Sequence, residues 1–321
     1  MNSKPIIIVN GEPNSIFLEI FFKSLKYKKF KSQIILISSS KLLNYHMKKF
    51  NYKKKINFIN YQQFDKKLFK NSINLIDVNY KVKLSAKKIS SKSKTFIQDS
   101  FDIGLKTLKI FNSNKFINGP ISKKNFLNKK LPGITEYLAK KTKVHKFAML
   151  IFNEKLSVCP LTTHIPLKNI AKYVNKKNIC EKVFLINSFY KNHLGKVPRI
   201  GVLGLNPHCE SINKFNEDEK IIKPAVKHLK KLKYNISGPF SADTIFLKEN
   251  RKKFDVIIGM YHDQVLIPIK TLFEYDAINI TLGLPFLRVS PDHGPNEKML
   301  GKNLSNPISL IKAITFLDKK N

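Results

Sequence analysis

Short runs of β-branched and aliphatic residues recur along this chain, and most of them stop at a cluster of polar side chains. KPIIIVN (residues 4–10) and FDVIIG (254–259) have the length and composition of strands buried on both faces, and QIILIS (33–38), INFIN (56–60), KFIN (115–118) and RIGVLGLN (199–206) read as further strands. Segments long enough for helices separate them, near residues 15–27, 41–50, 94–112, 179–192, 218–231 and 306–317. That alternation predicts an α/β fold in which helices cover a parallel sheet. In such sheets ligands gather beyond the carboxyl ends of the strands. The polar clusters at those ends are therefore where function is sought.

Three such ends carry a histidine. KLSVCPLTTH (155–164) ends at His164, the strand before Asn206-Pro207 leads to His208, and FDVIIG leads through Met260-Tyr261 to His262. Parallel strands end on the same side of a sheet. Three imidazoles there, with a coordination position left open, describe a catalytic divalent-metal site. Taken singly, each is more often a hydrogen-bonded, partly buried side chain, and spacing alone does not bring the three together. His46, His145, His193 and His228 stand in lysine-rich or helical surroundings and read as surface. Residues 65–93 read as surface loop and irregular strand, and Gly238-Pro239 with 241–244 as turns. The stretch from Gly259 to Gly294 is densest in chemistry, since it adds Lys270, Asn279 and Arg288 to His262. Arginine occurs only at Arg199, Arg251 and Arg288. One placed between Leu287 and Val289 in a Pro/Gly-rich loop suits planar recognition of a carboxylate or phosphate.

Composition narrows the alternatives. The 321 residues suffice for two domains or one large α/β unit. The formal charge of +37, from 59 basic and 22 acidic residues, raises the possibility of nucleic-acid binding. The lysines, however, are scattered over the whole chain, and the arginines that read base edges are nearly absent. No specific nucleic-acid partner is expected. Cys159, Cys180 and Cys209 form no CxxC pair, which fits small buried residues in a reducing compartment. No apolar run approaches the ~20 residues of a membrane span, and the start lacks a secretory pattern, so a soluble cytoplasmic protein is expected, without a membrane partner. No GxGxxG follows the first strand, so the usual dinucleotide fingerprint is missing.

Several longer stretches resemble the 4-hydroxythreonine-4-phosphate dehydrogenase family of pyridoxal phosphate biosynthesis: PGITEYLA, LTTHIPL, GLNPH followed by Glu210, GPFSADTIF, MYHDQ with IPIK, and INITLGLPFLRVSPDHG, in family order and over most of the chain. The resemblance implies two α/β/α domains with a central cleft, as in the isocitrate and isopropylmalate dehydrogenases. The first domain would comprise residues 1–132 plus about 300–321, and the second 133–299. It further implies a homodimer with a metal site shared between subunits. One divalent ion (zinc, magnesium or cobalt) would be held by His164, His208 and His262. Substrate would be bound by Thr135, Lys270, Asn279 and Arg288, with Asp243 at the cleft and His293 and Gly294 in a cofactor loop. The implied reaction is NAD- or NADP-dependent oxidation and decarboxylation of 4-phosphooxy-L-threonine.

The chain departs from the family pattern at three places. Ile134 stands where the family has histidine in PGHTE, which deletes a polar substrate contact. The amino-terminal loop, GEPNSIFLE from Gly11 to Glu19, lacks two glycines of the family's GDPAGIGPE. Pro295, Asn296 and Lys298 replace the Thr-Ala and Asp that follow DHG. Ile134 keeps open a sister dehydrogenase acting on another phosphorylated hydroxy acid, such as 4-phospho-threonate or -erythronate. The altered loops keep open an enzyme-like protein without activity.

Overall fold

A computed structural model describes residues 4–60, 67–81, 91–122, 126–127, 131, 133–210, 215–291 and 294–320. Its strands are β1 (Ile6–Val9), β2 (Ile34–Ser38), β3 (Lys55–Phe58), β4 (Ser72–Asp77), β5 (Lys115–Asn118), β6 (Ala148–Phe152), β7 (Ser157–Pro160), β8 (Ile200–Leu203), β9 (Ile236–Phe240), β10 (Val256–Gly259), β11 (Ile278–Leu282) and β12 (Leu287–Pro291). Its longer helices are α1 (Phe17–Tyr27), α2 (Ser40–Lys49), α3 (Lys94–Ile110), α4 (Ile134–Lys141), α5 (Lys176–Phe189), α6 (Lys223–Lys231), α7 (His262–Phe273) and α8 (Ile308–Asp318). No helix among the described residues is long and apolar enough to cross a membrane. The chain folds as two compact units, Met1–Leu138 with Pro285–Asn321, and Ala139–Leu284.

In the first unit the strands run β3-β4-β2-β1-β5-β12 and every pairing is parallel. Ile6, Ile7, Ile8 and Val9 are all 0% exposed, as the IIIV run requires of a strand covered on both faces. Helix α3 lies on β1 and β2. Its Gly104 permits that approach, since a Cβ there would stand 2.8 Å from Val9. Helix α8 packs on β1, β5 and β12.

Two strands here escaped the sequence pattern. Ser72–Asp77 is a regular strand between β2 and β3 and not loop, its four central residues buried. Leu287–Pro291 is a buried strand paired with β5, so Arg288 sits on sheet and not in a Pro/Gly-rich loop. That pairing returns the chain to the first unit at Pro285, ahead of the boundary expected near residue 300. His46 is also corrected. It is 6% exposed on the inner face of α2, stacked on Phe50 at 5.6 Å, and not on the surface.

In the second unit the order is β11-β6-β7-β10-β8-β9. The pairs β7/β10, β10/β8 and β8/β9 are parallel, whereas β6 runs antiparallel to both its neighbours. The sheet is therefore mixed and not wholly parallel. Val158, Leu203, Ile257, Val265 and Ile269 form its core under α7. β9, read from Gly238-Pro239 as a turn, is an outer strand. Proline has no N–H for a central ladder, and an edge position tolerates that.

Candidate active site

β7, β10 and β8 are parallel neighbours, so their carboxyl ends share one edge of the second unit's sheet. His164, His262 and His208 follow those ends within a few residues. The first two loops are fastened together. Leu161 N–H donates to the Gly259 carbonyl at 2.7 Å, and the Thr162 hydroxyl donates to the Met260 carbonyl at 2.7 Å. Beyond this staple the His164 and His262 rings stand 5.8 Å apart between centroids, inclined by 38°. A metal–nitrogen bond of about 2.0–2.1 Å plus the ring radius places two imidazoles on one tetrahedral ion roughly 5–6 Å apart. The pair fits a shared divalent ion.

His262 is the first residue of α7, with Tyr261 as the extended residue before it. Its Nδ1 lies 2.6 Å from Asp263 Oδ1. A carboxylate on Nδ1 holds the tautomer that leaves Nε2 for a metal. Gln264 ties the same turn to β8, accepting the Met260 N–H at 2.7 Å and donating to the Gly204 carbonyl at 2.8 Å.

His208 has φ 54° and Cys209 φ 62°, two left-handed residues in succession on a short turn. Buried Asp218 organises the chain leading into them, accepting Leu205 N–H at 2.7 Å, Asn206 N–H at 3.2 Å and Asn206 Nδ2 at 2.9 Å. Gly204 leaves room for that carboxylate, whose oxygen would stand 2.6 Å from a Cβ. His208 is exposed. Among the described residues no group of three or more His, Cys, Asp or Glu is placed to hold one ion. A single chain thus brings His164 and His262 together without adding His208. Asp243, also exposed, accepts from the Ser241 hydroxyl at 2.5 Å. That bond first, and the His208 imidazole to a lesser degree, hold its carboxyl below the usual range.

Of the residues expected to bind substrate, Lys270 and Asn279 lie in the second unit and Thr135 and Arg288 in the first. In the second, Lys270 is exposed in the last turn of α7, where a cation complements the helix dipole. Asn279 lies on β11 with its Oδ1 buried and unpartnered. In the first, Arg288 is 1% exposed. It faces Phe116 across the ladder, so Asn118, two residues on, shares its side of the sheet. Arg288 Nε donates to Asn118 Oδ1 at 2.8 Å, and Nη1 lies 3.5 Å from the Thr135 hydroxyl. Burial pushes the guanidinium pKa down to about 10, partly opposed by the Glu136 charge, so it is still a cation at neutral pH. Ile134 and Thr135 open α4 and are half-buried. Gly294 is exposed, with open space where a Cβ would be. His293 lies outside the described residues.

Asn118, Thr162 and Asp263 were not singled out from the sequence. Only Asp263, adjacent to His262, carried a signal that could have found it.

The relatives of this α/β chain are dehydrogenases. The chain belongs to the PdxA family of pyridoxal phosphate biosynthetic proteins, whose model matches residues 30–317. It is 38% identical over 315 residues to the 4-hydroxythreonine-4-phosphate dehydrogenase of Sulfurihydrogenibium sp., covering 96% of each chain. It is 39% identical over 184 residues to the D-threonate 4-phosphate dehydrogenase of Pectobacterium atrosepticum, covering 57% of this chain and 56% of that one. Its structure is similar to the crystal structure of the 4-hydroxythreonine-4-phosphate dehydrogenase of Klebsiella pneumoniae, with a TM-score of 0.82, 27% identity and 98% of each chain covered.

Proposed function

We propose that the chain is an oxidoreductase that oxidises and decarboxylates 4-phosphooxy-L-threonine to 3-amino-2-oxopropyl phosphate. The observation that carries this reading is the His164–His262 pair, 5.8 Å apart beyond two adjacent parallel strands of a PdxA-family fold. His164, His208 and His262 would hold one divalent ion, with a second subunit completing the set in a cytoplasmic homodimer. When bound, such an ion supplies Lewis-acid stabilisation of charge on the substrate oxygen, and NAD or NADP supplies the hydride acceptor.

The chain's own residues do the positioning. Arg288 presents a buried cation whose orientation is set by the bond from its Nε to Asn118. Lys270 adds a second cation for phosphate, and the orphaned Asn279 Oδ1 offers an acceptor for a substrate donor. Thr135 adds a hydroxyl beside the guanidinium. Asp263 keeps His262 in one tautomer throughout.

Ile134 favours a second reading, oxidation of a 4-phospho-threonate or -erythronate, because an apolar side chain there cannot supply the family's polar contact. The test is to follow NADH and NADPH formation with 4-phosphooxy-L-threonine and with its threonate analogue, before and after chelation and metal return. Turnover with the amino acid, lost on chelation and in His262→Ala, supports the first reading. Turnover with the threonate alone selects the second, and turnover indifferent to chelator overturns the metal assignment.

A further inference from the structure

The carboxyl edge of the first unit's sheet holds a group of buried polar atoms that nothing above employs. β4, β2 and β1 are adjacent and parallel, and just past their ends stand Tyr80, Ser38, Asn10 and Glu12. Ser93 joins them at the start of α3. All are buried, and Glu12 is 0% exposed. Among the described residues, both side-chain polar atoms of Asn10 and Ser38 Oγ lack a hydrogen-bond partner, and the Glu12 oxygens, Tyr80 OH and Ser93 Oγ make no bond of good geometry. The Ser93 hydroxyl and Asn14 come within hydrogen-bonding reach of both Glu12 and Tyr80, and the Glu297 carboxylate bears on Glu12 as well.

Backbone bonds hold Glu12 in this position. Its N–H donates to the Pro120 carbonyl at 2.8 Å and its carbonyl accepts the Ser15 hydroxyl at 2.7 Å. Gly11, at φ 75°, makes the turn, and a Cβ there would come within 2.6 Å of the Pro120 oxygen. The loop is built to turn a carboxylate inward, where an uncompensated charge is expensive. A proton on Glu12 would remove the charge but leave the Asn10 and Ser38 polar atoms unmatched. An anion is excluded by two carboxylates. A divalent ion would require more negative charge than one enclosed carboxylate provides, since Glu297 is exposed.

We propose that this edge binds one small monovalent cation, potassium, sodium or ammonium, with the Glu12 carboxylate as counter-charge and the Tyr80 and Ser93 hydroxyl oxygens as further ligands. One buried negative charge matches one positive charge, and the oxygens of Glu12, Tyr80 and Ser93 suit a hard ion. The site lies within the first unit and does not depend on the reaction assigned above.

The test uses the full-length protein, freed of divalent metal with EDTA and dialysed into tetramethylammonium chloride, whose cation is too large for an enclosed site. Thermal unfolding is then followed at pH 8 and constant ionic strength as KCl, NaCl or NH4Cl replaces it. At least one cation is expected to raise the midpoint saturably, by roughly 2–5 °C. Glu12→Gln should lose the response, and Tyr80→Phe should need about tenfold more salt for half the effect. Protons compete for Glu12, with Tyr80 and Glu297 the other titratable groups beside it, so the response should shrink at pH 6. A midpoint equal in all four salts, or a response retained in Glu12→Gln, overturns the proposal and leaves a protonated carboxyl with buried water. Should Glu12→Gln fail to fold, an unchanged salt requirement in both Tyr80→Phe and Ser93→Ala overturns it equally.

Discussion

The Thr162 hydroxyl donates to the Met260 carbonyl at 2.7 Å, and this bond fastens the loop carrying His164 to the loop carrying His262. Thr162→Val keeps the shape and loses the donor, leaving a buried carbonyl less well satisfied. Stability should fall by about 1 kcal/mol. Cobalt or zinc affinity, measured by titration of the metal-free protein, should drop roughly tenfold as the rings lose their fixed separation. Unchanged affinity in a destabilised variant would make the bond purely structural.

The Arg288–Asn118 contact gives a second expectation. Lysine keeps the charge but cannot place one nitrogen on Asn118 while turning others toward Thr135. Arg288→Lys should lower kcat/KM at least ~100-fold, mostly through KM, as for lost phosphate recognition. Asn118→Ala, which leaves the arginine in place, should have a smaller effect of the same kind. A fall confined to kcat in either variant would count against phosphate holding.

His46 makes the first unit sensitive to acid. Burial, and secondarily the Lys49 charge, push its pKa down to about 4 from an ordinary 6.5, against the opposing pull of Glu19. The folded state thus disfavours the proton that the unfolded chain accepts. The associated stability is intact above pH ~6.5 and is lost as pH falls toward ~4, in total on the order of 3 kcal/mol. His46→Leu should flatten the decline in unfolding midpoint between pH 7 and pH 4.5. An equal decline in the variant would place the acid sensitivity elsewhere.

Ile134 opens α4 one residue before the Thr135 hydroxyl that lies beside Arg288. Ile134→His should raise kcat/KM for 4-phosphooxy-L-threonine relative to the threonate analogue by about tenfold, the worth of one recovered hydrogen bond. An unaltered ratio would show that the isoleucine does not set the choice of substrate.

How far the sequence could be read depended on how strongly each segment advertised its surroundings. Ile6–Val9 and Val256–Gly259 were legible because aliphatic runs have no stable place except inside a sheet. The histidines at the ends of β7, β8 and β10 were legible because the strands before them were. β4 was missed because its six residues lie in a Lys- and Ser-rich region, where only the partners β2 and β3 give SINLID a reason to be extended. Arg288 was found for the wrong reason. Its rarity marked it, but its burial on β12 depends on Asn118, 170 residues away. His46 and Glu12 show the same limit from the other side, since a polar side chain in a lysine-rich chain gives no local sign of facing inward.

Pro239 has a consequence for association. An outer strand ordinarily offers a neighbouring chain a continuous row of donors and acceptors, which is how sheets polymerise. β9 has one donor fewer than its length provides, because Pro239 contributes no N–H. With one N–H fewer, β9 is a poorer template for another strand than its length suggests.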